Sequence, residues 1–178
     1  PADAIGYVAA QFIGGALGVV AARGVLRRSI SHASVNHAAT LPGPRGAGVA
    51  WACEFGIAFG MMTAVLVSSN NRTAAPYTPL IAGLLVALYI TFEAPFSGMS
   101  MNPARTLASA LGARQYRALW VYFTAPPLAM LAAAGLYATT LGAGHVYCGK
   151  LDHSGHDRCI FHCRIDELRG RAADGDIP

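Results

Sequence analysis

The chain has 178 residues, of which 54% are hydrophobic and only 12% are charged. A soluble domain carries about 25% charged residues, so this composition argues against a soluble globular protein and favours the lipid bilayer as its environment. The net charge is +4, but the basic residues lie in connecting segments and the tail without interleaved aromatic residues, which argues against a nucleic-acid partner.

Four apolar segments are long enough to cross a bilayer, which requires about 20 mostly apolar residues. They cover residues 5–26, 48–69, 77–95 and 119–141. The sequence therefore predicts an all-α membrane protein. Small residues at four-residue spacing are expected to let these helices approach one another closely; they are Gly14 with Gly18, and Gly56 with Gly60.

Between the third and fourth segments lies the stretch GMSMNPARTL, residues 98–107. The helical pattern that follows Asn102 is about three turns long, too short to span. Asn is a favoured N-cap and Pro is favoured at the first helical position. Irregular backbone at membrane depth is tolerated only inside protein or beside a water-filled cavity. A re-entrant half-helix is therefore predicted; the alternative is a surface loop leading into an amphipathic helix.

Four polar residues lie in or beside the apolar segments: Gln11, Glu54, Glu93 and Arg105. Such residues usually face a cavity or a partner. We expect Glu54 to accept hydrogen bonds from backbone N–H groups of the re-entrant loop; a proton-relay role is the alternative. Gln11 is expected to support the loop or to bond between helices. Glu93, at a span end, is expected to be solvated.

A half-helix that begins inside the membrane directs the positive end of its dipole toward the membrane centre. Asn102 can cap the helix and still offer its amide hydrogens to a passing molecule. Arg105 adds a permanent positive charge and several donors. Such a site repels cations, including hydronium, and hydrogen-bonds neutral polar solutes.

The run SGMSMNPART resembles the second Asn-Pro-Ala loop of the aquaporin (major intrinsic protein) family. The resemblance covers roughly residues 4–141. Further anchors are Gln11 in YVAAQFIGGALG, Glu54 in the second span, the LPGP segment, and WVYFTAPP in the last span. It implies an aquaporin-like helical bundle and a passive channel, with no enzymatic activity, no cofactor for transport and a homotetrameric assembly.

The family has six spans and two Asn-Pro-Ala loops, whereas this chain has four spans and one re-entrant half-helix. The chain is thus expected to be the C-terminal part of a bacterial-type aquaporin, lacking the first two spans and the first Asn-Pro-Ala loop. Residues 1–142 would form the partial channel domain, and residues 143–178 a Cys/His-rich cytoplasmic tail. The expected location is the bacterial inner membrane.

The resemblance assigns residues to the pore one by one. Asn102, Pro103 and Ala104 match the Asn-Pro-Ala signature, and Ile90, Met99 and Arg105 match three positions of the outer constriction. An Ile at the first of these favours other small neutral solutes, such as glycerol, beside water. Against this, Thr106, Ala110 and the pair Tyr122-Phe123 resemble the water-channel branch, so water is the primary expectation.

The tail reads VYCGKLDHSGHDRCIFHC from Val146 to Cys163. Thiolate and imidazole are the ligands that zinc prefers. The four predicted ligands are Cys148, His153, Cys159 and Cys163, with His156 and His162 as spares. Plain or redox-active thiols and disulfides are the alternatives.

Two function classes follow from these features. The first is a passive channel for water and small neutral solutes. The second is a non-conducting membrane module whose tail senses metal or redox state. A membrane enzyme has no support, because the spans hold no carboxylate pair, nucleophile constellation or cofactor motif.

Overall fold

The structure of the chain is a computed structural model that describes residues 2–151 and 164–170. Within these ranges every regular element is helical. The α-helices are α1 (Ala2–Leu26), α2 (Ala47–Ser69), α3 (Thr78–Phe92), α4 (Ala94–Ser97), α5 (Pro103–Ala113), α6 (Leu119–Leu141) and α7 (Ile165–Gly170). Short 3₁₀ turns form at Asn36–Ala38, Ala75–Tyr77 and Ala143–His145.

Four helical stretches are long and apolar enough to cross a membrane: Ala4–Leu26, Ala47–Ser69, Ala75–Phe92 and Leu119–Leu141. The prediction of four spans in an all-α membrane protein is confirmed. The third span ends at Phe92 rather than at residue 95. Pro95 has no N–H to continue the helical ladder, and the chain begins the one-turn helix α4 instead.

The segment predicted to be a half-helix is α5, eleven residues long. It begins directly after Asn102, because that side chain caps the first turn and Pro103 occupies the first helical position. Before it, the backbone is left-handed at Gly98, Met99 and Met101, with φ of 83°, 49° and 54°. Non-glycine residues rarely adopt such angles, so surrounding contacts must hold this loop in place.

The described residues form two compact units. The first comprises Pro1–Ile57 and Tyr89–Leu128, and the second Ala58–Leu88 and Ala129–Pro178. In the first unit, α1 packs along α5, and a Cβ on Gly15 would lie 3.2 Å from the Cβ of Ala108.

Three of the four glycines expected to mediate helix packing make no close helix contact within the described part of the chain. A Cβ added at Gly14, Gly18 or Gly56 would have no atom within 4 Å among the described residues. Gly15 makes the close approach instead, because four-residue spacing indicates a small-residue face but does not say which face meets a neighbour.

The connecting segment before α2 packs against the chain at α4, through Gly43. A Cβ on Gly43 would lie only 2.2 Å from the carbonyl oxygen of Pro95, so only glycine fits there. The Gly43 N–H donates to the Phe96 carbonyl at 2.9 Å. The Arg45 guanidinium lies 4.9 Å from the centre of the Phe96 ring. These contacts fix the segment that leads into the re-entrant loop.

In the second unit, Asn70 joins the end of α2 to the start of the tail. Its Oδ1 accepts the N–H groups of Tyr147 at 2.6 Å and Cys148 at 2.9 Å. Its Nδ2 donates to the Cys148 carbonyl at 2.9 Å and to the Leu66 carbonyl at 2.7 Å. One amide therefore bonds to two consecutive tail residues and to the last turn of a span.

Candidate functional site

The first turn of α5 begins with a fully occupied cap. The Asn102 Oδ1 accepts the N–H of Ala104 at 2.8 Å and that of Arg105 at 3.4 Å. The Asn102 Nδ2 donates to the Oε1 of Gln11, on α1, at 3.0 Å. Gln11 therefore fixes which way the Asn102 amide points.

The loop before α5 is bonded to a single buried carboxylate. Glu54, on α2, is fully buried. Its Oε1 accepts the Ser97 hydroxyl and the Ser100 N–H, each at 2.7 Å, and its Oε2 accepts the Met101 N–H at 2.8 Å. The Ser100 and Met101 N–H groups lie in the irregular stretch between α4 and α5, so one side chain supplies the acceptors that regular secondary structure would otherwise provide.

Two further hydrogen bonds hold the loop in place. The Ser97 Oγ accepts the Met99 N–H at 3.0 Å. The Tyr122 hydroxyl, fully buried on α6, donates to the Ser97 carbonyl. Sequence reasoning did not assign either residue to the site, although a Ser four residues after a Glu and a Tyr within an apolar span were available signals.

Thr106 also belongs to this network. Its buried hydroxyl accepts from the Thr40 hydroxyl at 2.9 Å and makes a short contact with the Ser100 hydroxyl. The Ser100 hydroxyl donates in turn to the Asn102 carbonyl at 2.9 Å. Thr106 thus bonds to the connecting segment and the loop.

A cavity of about 460 Å³ lies in the first unit, where α1, α5 and the 3₁₀ turn at Asn36–Ala38 meet. Its polar lining consists of Gln11, His37, Asn102, Arg105 and Ser109. Small and apolar residues form the remaining wall, as is usual for a solute site with few polar groups.

The other two predicted constriction residues, Met99 and Ile90, do not line this cavity. Met99 is 1% exposed, and its sulfur is 3.6 Å from an Arg105 guanidinium nitrogen. Ile90 lies on α3, is 50% exposed and does not line the cavity. The structure therefore brings Met99 and Arg105 together, with Asn102, Ala104 and Gln11 beside the cavity.

Glu93 differs from its expected solvated position. The side chain is 9% exposed, and neither carboxyl oxygen has a hydrogen-bond partner among the described residues. The expectation was wrong because the chain does not leave the protein at Phe92. It turns directly into α4, and Glu93 at this turn is buried.

Of the four predicted zinc ligands, only Cys148 lies within the described residues. It is buried, and the Lys150 N–H is 3.4 Å from its sulfur. The other three, His153, Cys159 and Cys163, lie outside the described residues. Among the described residues, no group of three or more His, Cys, Asp or Glu side chains is arranged to hold a metal.

Together these features define a helical membrane protein with a capped half-helix and a buried carboxylate beneath its entry loop. The sequence profile described as MIP: Major intrinsic protein matches residues 1–137. The chain belongs to the major intrinsic protein family, the aquaporin family, whose members are channels and not enzymes.

Several curated plant relatives support this assignment. The chain is 35% identical to Aquaporin NIP3-1 of Oryza sativa subsp. japonica over 133 residues, which is 74% of this chain and 41% of that protein. It is 42% identical to Aquaporin NIP6-1 of Arabidopsis thaliana over 93 residues, which is 52% of this chain and 30% of that protein. The chain thus spans less than half the length of these relatives.

We expect Glu54→Leu to destabilise the protein that contains this chain. Removal of the carboxylate leaves the Ser97, Ser100 and Met101 donors without an acceptor, at a cost of about 1–3 kcal/mol each. Thermal unfolding in detergent and water flux in liposomes measure the effect.

The matched control is Thr63→Val on the same helix, which removes a buried hydroxyl that has no partner among the described residues. It should leave the unfolding temperature and the flux near wild type. Normal stability and flux in Glu54→Leu would contradict a supporting role for the carboxylate.

Proposed function

We propose that the natural protein containing this chain is a passive channel for water and small neutral solutes, and that the chain supplies one half-helix and part of the pore wall. The observation that carries the proposal is the joint presence of Asn102 and Arg105 at a cavity beside the start of α5. The relatives whose printed names include aquaporin support the same class.

Asn102 is the solute-binding residue in this proposal. Of its two amide hydrogens, one bonds to Gln11. The other has no acceptor among the described residues and is available to the oxygen of a water molecule or an alcohol. Because Oδ1 is bonded to the N–H groups of the first turn, the amide cannot rotate to present its acceptor instead. A passing water molecule is therefore oriented with its oxygen toward Asn102.

Cation exclusion arises from two sources of positive potential. The N-terminus of α5 contributes the positive end of the helix dipole, and Arg105 contributes a full charge one turn into the helix. A cation that loses its hydration water here finds no acceptor to replace that water. A neutral solute has a much smaller desolvation cost. Protons are excluded in the same way, because hydronium carries a positive charge.

We expect Arg105→Ala to raise the leak of protons and small cations relative to water flux by several-fold. The reason is the loss of the fixed charge at the cavity. Liposomes that contain the full natural protein allow both quantities to be measured, the first with a pH-sensitive dye and the second by light scattering.

Arg72→Ala is the matched control, since this exposed arginine lies in the connector between α2 and α3. It removes the same charge from a site outside the proposed path and should change neither quantity. Unchanged leak and unchanged solute preference in Arg105→Ala would refute the role of the arginine.

Solute range is the finer part of the proposal. We infer that Ile90, which lies outside the cavity formed by this chain alone, contributes apolar surface to the constriction of the natural protein, and that Met99, buried against Arg105, is the constriction residue that contacts the arginine. Such a constriction admits solutes with CH groups, such as glycerol or urea, beside water. A polar side chain at the Ile90 position would narrow the path and bind water more strongly than such solutes.

Ile90→His should therefore lower the ratio of glycerol or urea flux to water flux. Leu88→His, on the same helix and also 50% exposed, controls for the introduction of a histidine into this span. An equal change in both variants, or none in Ile90→His, would show that Ile90 does not line the path.

We base the membrane location and the assembly of the natural protein on the same channel family. We infer an inner-membrane channel, of bacterial type, with the partial channel domain at residues 1–142 and a cytoplasmic tail at 143–178. The assembly we propose is a homotetramer. The apolar outer faces of the spans, such as α1 with Ile5 and Leu17 largely exposed, suit burial by lipid or by a second subunit.

For the tail we propose one zinc ion held by Cys148, His153, Cys159 and Cys163. The support is the concentration of thiol and imidazole groups within sixteen residues. The non-conducting sensor module is the alternative to the channel, and a lack of water flux in liposomes that contain folded protein would favour it.

Metal analysis of the purified natural protein tests the tail site. The expected result is one zinc per chain, lost in the double variant Cys159→Ser/Cys163→Ser and retained in the control Cys53→Ser. Binding should weaken below about pH 5, where protons compete for thiolate and imidazole. Cobalt should give the absorption of a tetrahedral thiolate site. Zinc content that is the same in the double variant would refute this ligand set.

A further inference from the structure

Glu93 is a buried titratable group to which the proposed transport path assigns no role. Both carboxyl oxygens are shielded from solvent and lack a hydrogen-bond partner among the described residues. A buried carboxylate without a donor costs several kcal/mol, and an unsatisfied buried polar group requires a physical explanation.

Ser97 lies one helical turn after Glu93, and its hydroxyl is not hydrogen-bonded to the Glu93 carboxyl in the structure. A hydroxyl has one proton to give and two lone pairs with which to accept. The Ser97 proton goes to the Glu54 Oε1 at 2.7 Å, and one lone pair accepts the Met99 N–H at 3.0 Å. What remains on Ser97 is an acceptor and no donor.

A carboxylate at position 93 would therefore meet no proton, whereas a carboxylic acid brings its own. We propose that Glu93 is a neutral carboxylic acid that turns to donate its proton to the Ser97 oxygen and so acts as a positioning residue for the re-entrant loop. The chain of donors then runs from Glu93 to Ser97 and from Ser97 to Glu54. Every lone pair and proton of the Ser97 hydroxyl is used.

The surroundings favour the neutral form. Glu93 lies one residue beyond the third span. Burial raises the pKa of its carboxyl above the ordinary value, and the negative charge of Glu54 raises this pKa further. A hydroxyl proton from Ser97 would counteract the rise, but that proton is given to Glu54.

The charged and titratable groups around Glu93 come from several elements. Cys53 and Glu54 lie on α2, and Tyr122 lies on α6. The cations Arg45 and Arg117 act on Cys53 and Tyr122, respectively. None of the described arginines forms an ion pair with Glu93, since the one ion pair among the described residues joins Arg164 to Glu167.

This arrangement gives the loop a pH dependence of defined sign. The folded protein holds the neutral acid, so the stability that Glu93 contributes is present at low pH and is lost as the pH rises through the folded-state pKa. Ionisation would place a second negative charge beside Glu54 and remove the donor to Ser97. The Met99–Met101 loop would lose order, and solute flux would fall in alkaline solution.

Infrared spectroscopy of the full natural protein tests the protonation state directly. The difference between wild type and Glu93→Gln at neutral pH should contain the carbonyl stretch of one protonated carboxyl group. This band should disappear as the pH is raised above neutral, where the acid ionises. Carboxylate bands at neutral pH in place of the acid band would overturn the proposal.

Water flux in liposomes tests the functional consequence, which rests on the proposed channel function. Wild-type flux should fall several-fold as the pH is raised from neutral into the alkaline range, while Glu93→Gln, whose amide can also donate to Ser97, should keep its neutral-pH flux throughout. Glu93→Leu, which cannot donate, should have reduced flux at every pH. An alkaline loss that is equal in wild type and Glu93→Gln would overturn the role of Glu93.

The two measurements separate the proposal from the channel function. The infrared band does not depend on transport, so a protein with the acid band but no flux at any pH would refute the channel and retain the neutral Glu93. Thermal unfolding at alkaline pH gives a further readout. There Glu93→Gln should be more stable than wild type, and a lower stability would count against the neutral acid.

Discussion

The hydrogen bonds from the re-entrant loop to the Glu54 carboxylate are the contacts on which the site depends. The backbone from Gly98 to Met101 is left-handed at three positions and cannot bond to itself. Water could satisfy such groups at a protein surface, but not inside a membrane protein, where an unpaired N–H costs several kcal/mol. A carboxylate suits this position because its two oxygens accept three hydrogen bonds from one side chain. An amide would have one oxygen, and its NH₂ would oppose the Met101 N–H.

Once the loop is fixed, the identity of the capping residue follows from the cap that it forms and from the solute-binding role that we propose for it. Asp would cap α5 as well as Asn does. It would, however, have no hydrogen to give to Gln11 or to a solute, and its negative charge would cancel the positive potential of the helix start and Arg105. Ser would cap but would have a single proton, and its bond to Gln11 would use that proton. Asn102 alone combines neutral charge, a locked acceptor and a spare donor.

The parts of this architecture that depend on local sequence could be predicted, and those that depend on the meeting of distant segments could not. Length and hydropathy identified the four spans, and the Asn-Pro pair identified the start of α5. Glu54 could be singled out because a carboxylate in an apolar helix needs donors. Its contact with Ser97 and the bond from Thr40 to Thr106 join residues 43 and 66 positions apart, and no local pattern encodes such a pairing. Glu93 was misplaced for the same reason, because its burial depends on how the chain continues after the third span and not on the composition of that span.

The carboxyl groups of Glu54 and Glu93 differ in the number of hydrogen bonds that they receive. Glu54 receives three hydrogen bonds, from the Ser97 hydroxyl and from the N–H groups of Ser100 and Met101. Glu93 receives none from the described residues, and the single hydroxyl between them has already given its proton to Glu54. Burial without a donor favours the neutral form of a carboxyl group, as proposed for Glu93. The Glu54 carboxyl group is enclosed by donors, so it holds the loop without offering a cation a binding site. A neutral Glu93 would also leave unchanged the positive potential around Asn102 and Arg105 on which the proposed channel function depends.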